Sequence, residues 1–345
     1  MQAKTDFLHR TGPVRIVMLF AISAGFLATV FAADTALAQE AYPTHPISLI
    51  APYSVGGDAD LAARNFAVAA QLALGQPVVV LNKTGASGIL GSAYAIASPP
   101  DGYTLLLART GSQAILPAIQ PNKTRYKWDQ YTFVSTLELN PYGCLVNSSS
   151  KYHSFKDLVD EIRTKGKSLN YGTAGVLTTN DMGPRLLFKI LKVGDQAPTE
   201  IPYRGTGEAA QSLLANQTDF SCGSLGSFLG FVQGGELRVL MVTTSKRLDS
   251  MPEVPTAREL GYAEMEGIVG WSAVLGPPDL PTAVRDKLAA AIKTVSKDPA
   301  WLAGTARTGS VPYVLSSEET KDFVRKQYQL YQSLGESLGL IDTKP

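Results

Sequence analysis

Four stretches of this 345-residue chain combine glycine with serine or threonine just ahead of a helix-forming segment: Ser54–Asp60, Arg109–Ser112, Thr173–Asn180 and Gly205–Gly207. A helix start presents main-chain N–H groups that no helical carbonyl reaches, at the positive end of the helix dipole. Glycine lets that backbone come close to a guest, and hydroxyls add donors, so the chemistry on offer is the binding of a small anion. One such loop is an ordinary turn, since Gly, Ser and Thr are common turn residues. Four of them after strands in one α/β chain point to a shared site at the carboxyl ends of those strands.

Other chemistries are poorly supplied. No G-x-x-x-x-G-K-[ST] loop is present and no G-x-G-x-x-G opens a helix after a strand. No cofactor is therefore expected. His45 lies between Thr44 and Pro46, and His153 just ahead of a helix cap; neither has a sequence partner that would make it a base. No Cys/His spacing suits zinc, and nothing marks a base for Ser112 or Ser224. The chain does not read as an enzyme. Its two cysteines, Cys144 and Cys222, could pair in an oxidising compartment. Sequence alone does not place them within bridging distance, and their apolar, strand-like surroundings read as two buried thiols.

The elements that must carry the loops alternate strand and helix. Ile47–Pro52, Pro77–Leu81 and Tyr103–Ala108 read as strands, with helices from about Ala59 to Leu74 and after Gly85-Ala86-Ser87-Gly88. Further strands are expected at Tyr142–Asn147, Leu169–Thr173, Glu200–Tyr203, Thr218–Cys222, Leu237–Thr243 and Trp271–Leu275. Ser154 with Asp157, and Ser316 with Glu319, have the spacing of capping boxes. Two amphipathic helices, about Thr282–Val295 and Glu318–Leu334, finish the chain. Such alternation predicts parallel sheets covered on both faces.

Residues 1–38 read as a cleaved secretory signal. Lys4, Arg10 and Arg15 precede an uncharged apolar run from Ile16 to Ala33, and Ala36-Leu37-Ala38 supplies an A-x-A exit. Its removal takes away three basic and two acidic residues, so the formal net charge falls from +1 to zero. A chain with no basic surplus is a poor partner for nucleic acid. No second apolar run approaches membrane length.

The order and spacing of several short motifs resemble one family across 42–340. Tyr42-Pro43-x-x-Pro46-Ile47 is similar to its opening, and Pro52–Asp60 to its first Gly-Gly loop ending in Asp. Gly75-Gln76-Pro77-Val78-Val79-Val80 with Asn82 is similar to its second strand. Pro100-Asp101-Gly102-Tyr103-Thr104-Leu105, Pro202-Tyr203-Arg204-Gly205 and Ser250-Met251-Pro252-Glu253-Val254-Pro255-Thr256 match further fixed stretches. The family is that of the Bug-type periplasmic receptors of tripartite tricarboxylate transporters. The resemblance implies two doubly wound α/β domains joined by two crossovers, a periplasmic-binding-protein-like clam shell. Domain I would be 39–140 plus 271–345, and domain II 141–270.

The resemblance also implies a ligand site. Its binding positions fall on the loop of Ser54, Val55, Gly56 and Gly57 with Asp60, and on Thr110, Gly111 and Ser112. From domain II they fall on Ala174, Gly175, Thr178, Thr179 and Asn180, on Arg204, Gly205 and Thr206, and on Cys222, Gly223 and Ser224. In such receptors a ligand carboxylate is held by main-chain amides and ordered water, and a second ligand group reaches domain II. This chain departs from the pattern at Ser54-Val55, at Arg109, at Thr178-Thr179-Asn180 and at Cys222-Gly223-Ser224. Small residues at 222–224 could leave room for a larger, aromatic ligand. Arg109 could grip a carboxylate with two parallel hydrogen bonds, or face water in an ordinary ion pair. The expected function is capture of a small organic carboxylate, a dicarboxylate or an aromatic one, by a monomer that delivers it to membrane transporter subunits. The same clam shell also serves receptors that dock on a sensor kinase, and sequence does not separate the two.

Overall fold

β1 (Ile47–Ala51), β2 (Val78–Asn82) and β3 (Thr104–Arg109) run parallel, with β1 in the middle. The computed structural model describes residues 42–342, so the leader at 1–38 lies outside the described residues. From His45 onward the chain packs as one unit. β4 (Thr132–Asn140), β10 (Gly270–Gly276) and β11 (Val311–Pro312) complete a six-stranded sheet in the order β11-β4-β10-β3-β1-β2. β10 lies antiparallel to both β3 and β4. It is buried at every position, as a strand covered on both faces must be. β2, at the edge, is only partly covered, with Val79 and Leu81 exposed.

The segment 142–242 builds two smaller sheets. β5 (Tyr142–Asn147) lies between β8 (Ser221–Ser224) and β9 (Leu237–Val242), antiparallel to both. β6 (Asn170–Thr173) and β7 (Thr199–Pro202) form a parallel pair, linked to the residue just ahead of β8 by a bridge between Tyr171 and Phe220. The molecule is thus a mixed α/β fold of two lobes, each with an open sheet system. Alternation alone predicts parallel pairing throughout, and β10 departs from it for a topological reason. The chain leaves the larger sheet from β4 straight into β5 through Pro141, which has no N–H for a ladder. It returns as β10 at that same end, Gly270 opposite Asn140, with no crossover to the far end to turn it parallel.

The helices are α1 (Asp58–Leu74), α2 (Ile89–Ile96), α3 (Leu116–Ile119), α4 (Phe155–Lys165), α5 (Thr179–Leu191), α6 (Thr206–Leu214), α7 (Leu229–Gln233), α8 (Thr282–Val295), α9 (Pro299–Arg307) and α10 (Ser317–Ser337). α1 buries Ala59, Ala62, Ala63, Phe66, Ala67, Ala70 and Leu74, a stripe at helical spacing, and stops at Gly75 in the left-handed region. Both capping boxes form, at Ser154 with Asp157 and at Ser316 with Glu319. β4 and α9 were not legible beforehand; Asp298 caps α9 by accepting the Trp301 N–H at 2.8 Å.

Cys144 and Cys222 correct the reading of two free thiols. They are cross-strand partners on β5 and β8 and form a disulfide, with both residues fully buried as expected. The bridge spans 78 residues, and chain entropy for a loop of that size corresponds to about 4–5 kcal/mol.

Candidate functional site

Every loop singled out by its glycines and hydroxyls follows a strand end. Tyr53 comes after β1, Thr110 after β3, Ala174 after β6 and Gly205 after β7. These ends face one another across a cavity with about 440 Å³ of unfilled space, its mouth included. From the larger sheet, Tyr53, Gly57, Asp58 and Ala59 line it, together with Arg109, Thr110 and Gly111. Ala174, Thr178, Thr179, Asn180, Gly205 and Thr206 close it from the other lobe.

Three helices begin at this cavity. Their N-cap residues are Gly57, Thr178 and Gly205, and none of the three caps its helix with a side chain. A π-turn, Gly111–Ile115, begins beside them at Thr110. By contrast, α4, α9 and α10 begin with Ser154, Asp298 and Ser316 side chains accepting first-turn N–H groups. First-turn amides at the cavity thus keep their capacity for an anionic guest.

Arg109 is buried, with 7% of its surface exposed, which rules out the outward-facing alternative. Its Nη1 donates to Ser272 Oγ at 2.5 Å, and its Nη2 lies 3.8 Å from Asp58 Oδ2. Ser272 in turn donates to Glu138 at 3.2 Å, and Glu138 also accepts from Asn140 at 3.0 Å. Burial pushes the Glu138 carboxyl above its ordinary range, against the pull of Arg109, Asn140 and Ser272. Asp58 faces the other lobe as well: its Oδ1 accepts the Ser227 N–H at 3.0 Å and the Ser227 hydroxyl at 2.6 Å. Tyr53 donates from its hydroxyl to Ser87 O at 2.9 Å, and burial raises its pKa to about 12.

Several expected residues stand elsewhere. Asp60 does not line the cavity. Its carboxylate accepts the Gly56 N–H, Arg64 Nε and Asn82 Nδ2, each at 3.0 Å, tying the loop to α1 and β2. Burial pushes its pKa up, but these partners outweigh it and the net shift is downward. Ser54 packs against Gly205 so closely that a Cβ there would fall 2.4 Å from Ser54 Oγ. Val55 is 70% exposed, and Gly56 after it takes the left-handed conformation that turns the loop. Ser112 is buried behind the wall, where its carbonyl accepts from the Tyr126 hydroxyl at 2.6 Å. Gly175 and Arg204 line an adjoining groove with Ser87, whose hydroxyl donates to Val176 O at 2.9 Å.

The segment 222–224 corrects a second expectation. Cys222 is held in the disulfide, and the space that Gly223 leaves open is filled by the Asn180 side chain rather than left for a ligand. Ser224 is buried beside it on β8. Tyr53, Asp58 and Ala59 are the cavity residues that sequence reasoning missed. The resemblance points to Asp60, the acid that ends its motif, and passes over Asp58 at the first helical position, where an acid complements the dipole.

Two α/β lobes enclosing a cavity of helix starts define the fold of a solute-binding protein. More narrowly, the chain belongs to the tripartite tricarboxylate transporter family of receptors, whose profile matches residues 62–340. Members of this family are periplasmic solute-binding receptors and not enzymes. Over 304 residues the chain is 33% identical to a UPF0065 protein from the TAR-I ttuE-ttuC' intergenic region of Agrobacterium vitis, covering 87% of this chain and 86% of that one. The structure of the periplasmic binding protein BugD superposes with a TM-score of 0.81 at 26% identity, over 87% of this chain and 99% of BugD. MatC from Rhodopseudomonas palustris with bound malate gives 0.78 at 25% identity, over 85% of this chain and 100% of MatC.

Proposed function

We propose that the protein captures one small organic carboxylate in the periplasm and delivers it to the membrane subunits of a tripartite transporter. The observation that carries this reading is the set of helix starts at Gly57, Thr178 and Gly205, free of side-chain caps and facing one cavity with Arg109 in its wall. Their dipoles and amides favour negative charge, and the Arg109 guanidinium has more donors than its bond to Ser272 uses. Malate in MatC is a carboxylate in a related receptor, which supports the same class of ligand here.

In this reading 39–140 with 271–345 forms one domain and 141–270 the other, hinged near Pro141 and Val269. Closure brings Ser227 onto Asp58 and Ser54 onto Gly205, so ligand binding compacts the molecule. Export with cleavage after Ala38 delivers the receptor to its compartment, and intact-mass measurement of the exported protein tests that step. A thermal-shift screen of carboxylates tests the function: a binder at 100 times its dissociation constant adds about 2.7 kcal/mol of stability. Stabilisation by carboxylates is the expected result. A screen in which amines or uncharged sugars stabilise the protein and carboxylates do not would contradict the reading.

A further inference from the structure

Asp58 is the first residue of α1 and lines the cavity beside Arg109, with 7% of its side chain exposed. Its Oδ1 is taken by the facing lobe, where it accepts both the N–H and the hydroxyl of Ser227. Oδ2 is not so engaged. Arg109 Nη2 stands 3.8 Å away, beyond hydrogen-bonding distance, and no other donor among the described residues bonds it. Unlike Asn180 Nδ2 and Ser224 Oγ, which are unpaired and sealed, Asp58 Oδ2 keeps accessible surface. A carboxylate oxygen in a cavity wall with its lone pairs unused is a place for a donor on the guest.

The charges around it decide what kind of donor. Among the described residues that line the cavity, Arg109 and Asp58 alone are charged. Glu138 stands behind Arg109, joined to it through Ser272. Burial above all, with the Asp58 charge in addition, holds the Glu138 carboxyl above its ordinary range. One guanidinium thus serves two carboxyls in this wall. Other charges stand back from the cavity: Asp60 is bound to Arg64, Asp181 and Glu200 to Arg185, and Arg204 is exposed in the adjoining groove. The helix starts at Thr178 and Gly205 offer amides to a carboxylate on the guest, but none of them answers Asp58. A dicarboxylate would bring two more acids to the same arginine. A hydroxyl would bond Oδ2 and leave the surplus of acid unchanged, whereas an ammonium would bond it and cancel that surplus.

We propose that Asp58 is a specificity-determining residue that binds a protonated amine on the guest. The ligand class is then a small zwitterion, one carboxylate with one ammonium, and not a dicarboxylate. This rests on the carboxylate reading of the cavity and narrows it. The group that reads the amine is also the group that holds Ser227 of the facing lobe, so recognition and closure meet at one side chain.

Calorimetry at neutral pH with two matched series tests it: propionate, lactate and alanine, then butyrate, 4-hydroxybutyrate and 4-aminobutyrate. In the series whose spacing fits, the amino acid should bind roughly tenfold or more tighter than both the plain acid and the hydroxy acid, the scale of one charge-assisted hydrogen bond gained in a buried site. In Asp58→Asn, which keeps an oxygen for Ser227, and in Asp58→Ala, that advantage should shrink below about twofold. A general loss of affinity would not change this ratio. Ligand-free thermal unfolding of both variants establishes that they fold. A plain or hydroxy acid binding tightest in each series, or an amine advantage that survives in both variants, overturns the inference while leaving a carboxylate receptor standing. Failure of all six acids to bind overturns the carboxylate reading and this inference with it.

Discussion

Two acid–arginine clusters, one in each lobe, are built to different ends. In the smaller lobe, Arg185 is bonded to both Asp181 and Glu200, while Asp181 also accepts from Leu177 and Tyr171. In that cluster one arginine serves two acids, and none of the three lines the cavity. In the larger lobe, Arg109 and Asp58 both line the cavity, stand 3.8 Å apart and are each tied to a serine. Similar residues thus build a structural brace in one lobe and a charged wall in the other. Salt bridges of comparable composition do different work according to which atoms remain available.

The largest expected effect is on the charged wall. Arg109→Ala should weaken binding of a stabilising carboxylate by roughly 2–5 kcal/mol, and Arg109→Lys should recover only part of it, since an ammonium lacks the planar fork. Calorimetry measures both. Stability should fall as well, because Asp58 and Glu138 lose their cation. Affinity within about twofold of wild type would erase the contrast between the clusters.

Arg185→Ala should act on the fold instead. It leaves Asp181 buried without its cation, for about 2–4 kcal/mol of stability by denaturant unfolding, below the fully buried limit because Arg185 is 30% exposed. Its effect on carboxylate affinity should be small beside that of Arg109→Ala. A larger loss of affinity than of stability would make the brace part of the site.

Ser227→Ala removes the hydroxyl that Asp58 accepts from the facing lobe, a change of about 0.5–1.5 kcal/mol. Solution scattering with a bound carboxylate should show a larger radius of gyration than wild type. An identical profile would mean that closure does not depend on this contact.

The smallest effect is a pH dependence. Burial raises the folded-state pKa of Glu138, so its contribution to stability is present below the ordinary glutamate range and is lost as pH rises through the folded value. Glu138→Gln should remove that loss, gaining on wild type as pH rises above about 4. Parallel stability curves for the two proteins would show that Glu138 titrates alike in the folded and unfolded states. Asp60 has the opposite sign: its lowered pKa contributes stability above the ordinary aspartate range, lost on acidification.

The features legible in the sequence were those set by local chemistry. Ser154–Asp157 and Ser316–Glu319 announce helix starts because both partners lie within four residues. Gly57, Thr110, Thr178 and Gly205 announced cavity loops only as a set, since each alone is an ordinary turn and four at strand ends point to one site. What depended on long-range pairing was hidden. The β10 strand reverses because of where the chain re-enters the sheet, and the Cys144–Cys222 bridge depends on β5 and β8 meeting in register. The role of Asp60 was misjudged for the same reason, since Asn82 on β2 engages its carboxylate from 22 residues away. Asp58 escaped notice because its partners, Arg109 and Ser227, lie 51 and 169 residues along the chain.

The central claim is that main-chain amides at the helix starts, with Arg109, hold one carboxylate. The most direct test is calorimetry of the tightest acid from the screen against its primary amide, which keeps the shape and removes the charge. The account predicts that the amide binds at least about tenfold more weakly, because each buried donor deprived of a fitting acceptor costs about 1–3 kcal/mol. Equal affinity for the acid and its amide would contradict it.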